Sequence, residues 1–201
     1  MGHGKETPRQ KMIGMMYLVL TALLALNVSK DVLNAFVIVD EGLSKTVENF
    51  YEKNDAIYKE FAQAAATNPK KAKKWSEKAE AIRNKANEIN NKIQDLKIQI
   101  INLADKPGNL AVKDRTIITG NILSKDNADK PAQIMVGDNN NGQGKELKKL
   151  IEEYREMCLK ELDPKAEEVK AAIEKSLETK DPEAVEGKKE SWESEHFEHM
   201  R

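Results

Sequence analysis

The first forty residues hold most of the uninterrupted apolar sequence of this chain. No charged residue occurs from Met12 to Val28, whereas the sequence beyond residue 40 is strongly polar. At 1.5 Å per residue these 17 residues form about 25 Å of helix, which is near the minimum for crossing the hydrocarbon core of a bilayer. Apolar residues resume at Val32 without a helix breaker. The pattern predicts one transmembrane helix over residues 12–30 that continues outward as a helix.

The charges in front of this run predict its orientation. Three basic residues precede it: Lys5, Arg9 and Lys11. Basic residues favour the cytoplasmic side, so residues 1–11 are predicted to be a cytoplasmic tail and residues 31–201 a domain on the other side of the membrane. A cleavable signal peptide has the same charge order, but Ala25-Leu26-Asn27 matches its small-residue cleavage pattern poorly.

The predicted span also carries small and polar residues, which suit contact with other helices. Mostly small residues recur at helical spacing: Gly14, Leu18, Thr21 and Ala25. Small side chains let helix backbones approach closely in a membrane. Tyr17, Thr21 and Asn27 add polar groups, and Arg9 lies on the same helical line as Asn27. Arg9 and Tyr17 suit either interfacial anchors or an ion pathway, and the residues alone leave both interpretations open.

A heptad pattern follows the span. Its core positions alternate at spacings of three and four: Leu33, Phe36, Asp40, Leu43, Val47, Phe50, Asn54, Ile57 and Phe61. This spacing is typical of a helix that packs along one face, and polar residues at core positions can fix register and partner number. The helix is predicted to end before Pro69, because Asn68 precedes a proline.

A second, more regular stripe predicts another long helix. Its members are four and three residues apart in alternation: Trp75, Ala79, Ile82, Ala86, Ile89, Ile93, Leu96, Ile100 and Leu103. About four heptads of this pattern indicate coiled-coil or bundle packing. Lys106-Pro107-Gly108 is predicted to end the helix.

The rest of the sequence predicts an irregular segment and two shorter helices. Residues 106–144 are rich in turn formers, and their apolar runs RTIITGNIL and QIMVG form either a small hairpin or a cover over the helices. One helix is predicted to start near Lys145, with an inward face of Leu147, Leu150, Ile151, Tyr154, Cys158 and Leu162. The next is predicted to begin at Pro164, with the stripe Val169, Ala172, Ile173 and Leu177. Trp192 and Phe197 are expected to anchor the last stretch, after which the chain is expected to be truncated.

Composition and motifs exclude more functions than they suggest. Basic and acidic residues are balanced, 33 against 34, which gives no general attraction to nucleic acid. Cys158 is the only cysteine, so no intrachain disulfide or thiolate metal site is predicted. The segment GDNNNGQGKEL lacks the residues of a phosphate loop or a calcium loop and is interpreted as a glycine-rich lead into a helix. His196 and His199 have no evident third ligand and are interpreted as surface residues. The sequence predicts no catalytic residue, metal or cofactor.

The run PRQKMIGMMYLVLTALLALNVSKDVLNAF resembles the N-terminus of the GldM family, also called PorM, of Bacteroidetes. The PRQKM start, Tyr17 within the span and LALNVSKDVL at its exit carry the likeness. The segments GKELKKLIEEYR and SWESEHFEHM resemble parts of the family's first periplasmic domain. The resemblance implies a core component of the type IX secretion system in the bacterial inner membrane. Its expected fold is all-α: a single N-terminal transmembrane helix that continues into a periplasmic helical bundle.

The resemblance also implies partners and roles. The resemblance implies a dimer whose membrane helices lie inside a ring of GldL. GldL is a two-span protein, and its ring is expected to be a pentamer. Later β-rich domains would reach outer-membrane components, and the lipid bilayer is the remaining partner. Arg9 is implied to pair with an intramembrane glutamate of GldL. Together with the residue pattern, this gives a predicted partner-binding and energy-coupling set of Arg9, Tyr17, Thr21 and Asn27. The helix-packing set, predicted from the small-residue pattern, is Gly14, Leu18 and Ala25.

These expectations give one leading hypothesis and two alternatives. The leading hypothesis is a non-enzymatic subunit of a motor that is driven by the proton motive force and powers secretion and gliding motility. The first alternative is a passive tether that spans the periplasm. The second is an extracytoplasmic sensor bundle, which is disfavoured because about eleven residues before the span are too few for an effector domain.

Overall fold

The computed structural model describes residues 7–106, 108–184 and 190–198, and for residues 25–30 it describes the backbone alone. In that part the chain is mostly α-helical, so the all-α prediction is confirmed. The chain divides into two compact units, Met1–Thr46 and Val47–Arg201.

The first helix, α1, comprises Pro8–Thr67 and contributes residues to both units. It ends before Asn68 and Pro69, as predicted from the restriction that a proline places on the residue before it. Within the described residues, no helix is both long and apolar enough to cross a membrane. The predicted span over residues 12–30 is therefore not confirmed.

The second helix, α2, comprises Pro69–Asp105, with its proline at the start, where a missing N–H is not needed for helix bonding. It ends as predicted at Lys106, which has a φ of 72°. The middle of its apolar stripe is buried: Ile89 is 8% exposed and Leu96 is 3% exposed.

The segment after α2 contains a hairpin and a short helix. Strands β1 (Val112–Lys113) and β2 (Thr116–Ile117) pair antiparallel, with Val112 opposite Ile117. The two turn residues between them have positive φ, as the tightest hairpins require. A 3-10 turn follows at Thr119–Asn121, and then helix α3 at Asp129–Met135. Of the two predicted apolar runs, the first therefore contributes a hairpin strand, and the second forms a helix that covers the core.

Three more helices complete the described chain: α4 (Gly144–Glu161), α5 (Glu167–Ser176) and α6 (Trp192–Phe197). The start at Pro164 that the sequence predicted for the helix after α4 is wrong, because that helix, α5, begins at Glu167. Asp163 holds the intervening residues in a turn. Its side chain accepts a hydrogen bond from the Lys165 N–H at 2.9 Å, and its carbonyl accepts one from the Ala166 N–H at 2.9 Å.

The core of the second unit lies where α2, α3, α4 and α6 meet. Its buried members come from all four helices: Ile89, Leu96, Met135, Leu147 and Trp192. Leu150, Ile151, Tyr154 and Phe197 pack against them, which confirms the predicted inward face of α4 in that stretch and both C-terminal anchors. The two ends of the α2 stripe are wrongly predicted as core. Trp75 is 55% exposed and Leu103 is 43% exposed, whereas Ile101, beside Leu103 but off the predicted stripe, is 7% exposed.

Residues 177–181, which follow α5, form a polar strap along one face of α4. Arg155 Nη1 donates to the Leu177 carbonyl at 2.8 Å, and the hydroxyl of Thr179 donates to Glu152 Oε1 at 3.1 Å. Lys148 Nζ donates to Asp181 Oδ1 at 2.5 Å. The same Asp181 oxygen accepts the N–H of Trp192 at 2.9 Å, so the strap fixes the first residue of α6.

Candidate partner-binding surfaces

The N-terminus of α1 is fixed by a capping box. The backbone N–H of Thr7 donates to Gln10 Oε1 at 2.9 Å, and the backbone N–H of Gln10 donates to Thr7 Oγ1 at 3.3 Å. Sequence analysis missed this arrangement, although Thr7 and Gln10 stand at the spacing that signals it. The box places Arg9 in the first turn of the helix, with its side chain exposed.

The charge of Arg9 does not stabilise the helix on which it lies. The N-terminal end of a helix carries a partial positive charge, so a cation in the first turn is unfavourable by a few tenths of a kcal/mol. Arg9 is exposed, and no residue of the first turn of α1 is acidic. A negatively charged group of a partner would therefore find both Arg9 and the helix end favourable.

The other predicted coupling residues lie further along α1. Tyr17 is 67% exposed, and Thr21 is exposed one turn later. The hydroxyl of Thr21 donates to the Tyr17 carbonyl at 2.7 Å, so its proton is already used within the helix and its oxygen is left to accept. Tyr17 is about 12 Å from Arg9 along the axis and turned by about 80° from it. The side chain of Asn27 lies outside the described residues.

The predicted packing residues present an open surface. Leu18 is 70% exposed, and a Cβ built on Gly14 would meet no heavy atom within 4 Å. A second helix backbone could approach closely at Gly14. The side chain of Ala25 lies outside the described residues.

In the second unit, the heptad face of α1 is exposed. Val47 is 64% exposed, Phe50 59% and Ile57 50%, and Asn54 is exposed among them. The equivalent stripe on α2 is buried in its middle part. Among the described helices of the second unit, α1 therefore has the most large apolar side chains exposed.

Arg83 of α2 connects the two helices at the flank of that face. Its Nη2 donates to Asp55 Oδ1 at 2.6 Å, and its guanidinium carbon lies 4.9 Å from the centre of the Tyr58 ring. A hydrogen bond with Tyr51, followed by the bond to Asp55, raises the pKa of Arg83. Hydrogen bonding to Lys59, with a further contribution from Arg83, lowers the pKa of Asp55. Sequence analysis missed the cluster, although a helical hairpin at Asn68 brings residues at similar distances on either side of it together.

A family model for the GldM N-terminal domain matches residues 31–200 of the chain. The chain belongs to the GldM family. Membership confirms the resemblance drawn from the sequence and associates the chain with gliding motility and type IX protein secretion. The GldM family is known for structural motor components rather than for enzymes. No curated protein matches the chain.

The match assigns the GldM domain to the part of the chain after the predicted coupling residues. Arg9, Tyr17, Thr21 and Asn27 all precede residue 31, so their predicted roles are not tested by this match. The structure adds only that the first three are exposed. In the described part of this GldM domain, no three His, Cys, Asp or Glu side chains are grouped as a metal site would need. His196 is half exposed, and its Nδ1 lies 2.8 Å from the Trp192 carbonyl oxygen, to which it donates in the tautomer that carries the proton on Nδ1. His199 lies outside the described residues.

Proposed function

We propose that this GldM-family chain is a non-enzymatic subunit of an inner-membrane motor that is driven by the proton motive force and powers type IX secretion and gliding. The observation that carries the proposal is the uncharged, exposed surface of α1. Every described residue from Met12 to Leu24 is exposed, and Met15 and Leu18 are each 70% exposed. Exposed apolar surface in water costs about 25 cal/mol per Å². This part of α1 is therefore suited to lipid or to other apolar helices.

A membrane around α1 is the environment that fits this surface. The uncharged run continues in sequence to Val28, beyond Leu24, the last residue of the run whose side chain is described. The basic residues before Met12 favour an N-terminus in the cytoplasm, and the domain from residue 31 then lies in the periplasm. The proposed location is the bacterial inner membrane, with a single pass.

The proton-carrying group must belong to a partner. No Asp or Glu occurs from Met12 to Val28, so this part of α1 has no carboxylate that could exchange protons. A two-span GldL-like protein, arranged as a pentameric ring around two copies of α1, would supply an intramembrane glutamate. Arg9 is the proposed counterion, since its own helix offers it no acidic neighbour in the first turn.

The proposed energy-coupling step is the making and breaking of that ion pair. Burying one charge of a pair without the other is strongly unfavourable, so protonation of the partner's carboxylate would release Arg9 and favour movement to the next carboxylate. Tyr17 would provide a second polar contact on roughly that side. The acceptor oxygen of Thr21, turned by about 120° from Arg9, would provide a contact on a neighbouring face. The helical backbone from Pro8 to Thr67 supports transmission of the movement, since a helix carries torque better than a loop.

The second copy is proposed to pack on the heptad face of α1. Phe50, Ile57 and Val47 are at least half exposed in the single chain, and the heptad spacing is that of helices paired along one face. Dimerisation would bury this face. Further domains beyond residue 201 would extend the assembly toward the outer-membrane components.

The test replaces Arg9 in cells that carry the full-length protein. Arg9→Ala is expected to abolish secretion and gliding while the GldL-like partner still co-purifies. Lys11→Ala is the matched control, because it removes a basic charge from the same tail on a different side of the helix, and it is expected to retain both outputs. Equal loss in the two variants would mean that only the net charge of the tail matters.

A second replacement separates the motor from a passive tether. Exchanging residues 12–28 for a Leu/Ala helix keeps an apolar span but removes Tyr17, Thr21 and the small-residue stripe. A motor subunit should lose secretion and gliding, whereas a tether should retain them. Retained output in this variant together with retained output in Arg9→Ala would contradict the proposed motor.

A further inference from the structure

Asn54 is a polar residue in the middle of an exposed apolar face. With heptad positions labelled a to g, Val47 and Asn54 occupy a, and Phe50 and Ile57 occupy d. All four are exposed. α2 contacts α1 through the flanking positions of Asp55 and Tyr58, which leaves the a/d face uncovered in the described chain.

The area of this face is sufficient for a helix of a second copy. The exposed apolar surface of Val47, Phe50, Ile57 and Phe61 is on the order of 400 Å². Interfaces are roughly 60% apolar, so this surface corresponds to about 650 Å² per copy and about 1,300 Å² in total. Stable interfaces bury about 1,200–2,000 Å². The second-unit part of α1 therefore reaches the lower end of that range.

The Asn54 amide finds a hydrogen-bond partner in only one of the two possible orientations of a second helix. In an antiparallel pair, a positions form layers with d positions, so Asn54 would face Phe50 or Ile57 and its amide would be buried without a partner. A buried polar group without a hydrogen bond costs about 1–3 kcal/mol in each chain. In a parallel pair in register, a positions face a positions, and the two amides can bond to each other.

We propose that Asn54 sets the register of two parallel copies of α1 by pairing with Asn54 of the second copy; the parallel orientation itself already follows from the proposed membrane insertion. The inference rests on the dimer of the proposed function and adds the residue that aligns it. A shift of one heptad in either direction would place Asn54 against Val47 or Phe61, which again leaves the amide unpaired. An asparagine at a single a position specifies register in this way at some expense of stability.

Disulfide trapping in the purified full chain tests the register. In a Cys158→Ala background, Asn54→Cys is expected to form an interchain disulfide in more than half of the chains under mild oxidation. Glu52→Cys is the matched control, because Glu52 is exposed on the opposite side of α1, and it is expected to trap less than a tenth. Mixtures of Asn54→Cys with Ile57→Cys chains probe the antiparallel arrangement and should give few mixed disulfides.

The failures of the dimer and of the register have different signatures. A chain that light scattering shows to be monomeric contradicts the dimer, and with it this inference. A dimeric chain in which Asn54→Cys traps no better than Glu52→Cys, or pairs preferentially with Ile57→Cys, overturns the register and leaves the dimer standing.

A second variant tests the role of the amide without cross-linking. Asn54→Val is expected to keep the fold of the single chain, because the side chain is exposed there, but to convert one dimer species into a mixture of oligomers. Asn90→Val on α2, another exposed asparagine, should leave the oligomer distribution unchanged. Phe50→Cys, at a d position, reports the same register by d-to-d disulfide trapping. If Asn54→Val stays a homogeneous dimer and Phe50→Cys traps equally well in it, the proposal is overturned.

Discussion

Gly142 lies where the loop before α4 crosses the end of α3. A Cβ at this position would come within 2.3 Å of the Met135 carbonyl oxygen, and the neighbouring backbone is equally close. The Val136 carbonyl accepts the Gly142 N–H at 2.7 Å, which holds the two segments together. The glycines of the GDNNNGQG segment therefore serve close packing of two backbones, which the sequence does not reveal, because it shows only that glycines are present.

Gly142→Ala is expected to destabilise the second unit by about 1–3 kcal/mol, since a methyl group must displace backbone atoms. The measurement is urea unfolding followed by tryptophan fluorescence. Gly120→Ala is the control, because no heavy atom lies within 4 Å of its Cβ position. A loss in Gly120→Ala as large as that in Gly142→Ala would contradict the packing argument.

Trp192 and Trp75 are a matched pair for measuring the core. Trp192 is 9% exposed and belongs to the core, whereas Trp75 is 55% exposed. Trp192→Ala is expected to cost about 3–5 kcal/mol through lost burial and the cavity left behind, and Trp75→Ala well under half of that. Thermal unfolding by circular dichroism compares the two. Similar decreases in Tm would mean that Trp75 is covered in solution.

At the scale of elements, Arg83 is expected to hold the end of α1 against α2. Arg83→Lys keeps the positive charge but loses the planar group that both bonds Asp55 and stacks on Tyr58. Amide hydrogen exchange in residues 51–61 should become several-fold faster, while exchange around Ile89 and Leu96 stays slow.

The control for Arg83 is Lys59, which also pairs with Asp55, at 2.8 Å, but is 74% exposed. Exposed ion pairs contribute little to stability, so Lys59→Ala should leave exchange in α1 nearly unchanged. An equal increase in the two variants would show that Asp55, and not the stacked guanidinium, holds the helix.

The elements that the sequence predicted well are the long ones. α1, α2 and α4 repeat their apolar spacing over several turns, which chance does not imitate. The hairpin of β1 and β2 has two residues in each strand, too few to show a period of two, and α3 has seven residues, about two turns. The start of α5 was missed because proline suits the first turn of a helix but also a turn before one, and Asp163 decides between them.

The roles of Arg9 and Tyr17 stay predictions. They follow from the polar character of these residues beside an apolar run and from a family resemblance, and the structure adds that both are exposed on α1. The Arg83 cluster was missed because its contacts join two helices, and periodicity describes one helix at a time. The capping box of Thr7 and Gln10, by contrast, can be predicted from the sequence, because its two residues are local and stand at the characteristic spacing.

At the scale of the whole molecule, three carboxylates predict the acid sensitivity of the second unit. Lys148, together with the Trp192 N–H, lowers the pKa of Asp181 from its ordinary 3.8. Burial raises the pKa of Asp105, but bonds from the N–H groups of Leu123 and Ser124 outweigh it and lower that pKa overall. The pKa of Asp55 is lowered as well. Near pH 3.8 the folded chain therefore holds fewer protons than the unfolded chain, and acid favours unfolding.

The stability from these carboxylates is fully present above about pH 5 and is lost as the pH falls through the lowered pKa values. Asp181→Asn should lower Tm at pH 6 and flatten the decline of Tm between pH 5 and pH 3, since one of the linked protons is removed. At the alkaline end, burial, followed by the nearby Cys158, raises the pKa of Tyr154 to about 12. The unfolded chain releases this proton at a lower pH than the folded chain does, so the free energy of unfolding decreases as the pH rises above about 10. A decline of Tm in acid that is identical in Asp181→Asn and the parent chain would contradict the assignment.

The position of Trp192 in the chain has a consequence for biosynthesis. Trp192 follows Asp105, the end of α2, by 87 residues, yet it packs with Ile89 and Leu96 of that helix. At about 5–20 residues per second, the ribosome makes α2 roughly 4–17 s before it makes the residue that completes the core around it. Helices α3 and α4 are made within that interval and can cover part of α2, but the part of the core that Trp192 closes stays open until α6 is made. The core of the second unit is therefore completed only when residue 192 and the rest of α6 have been made.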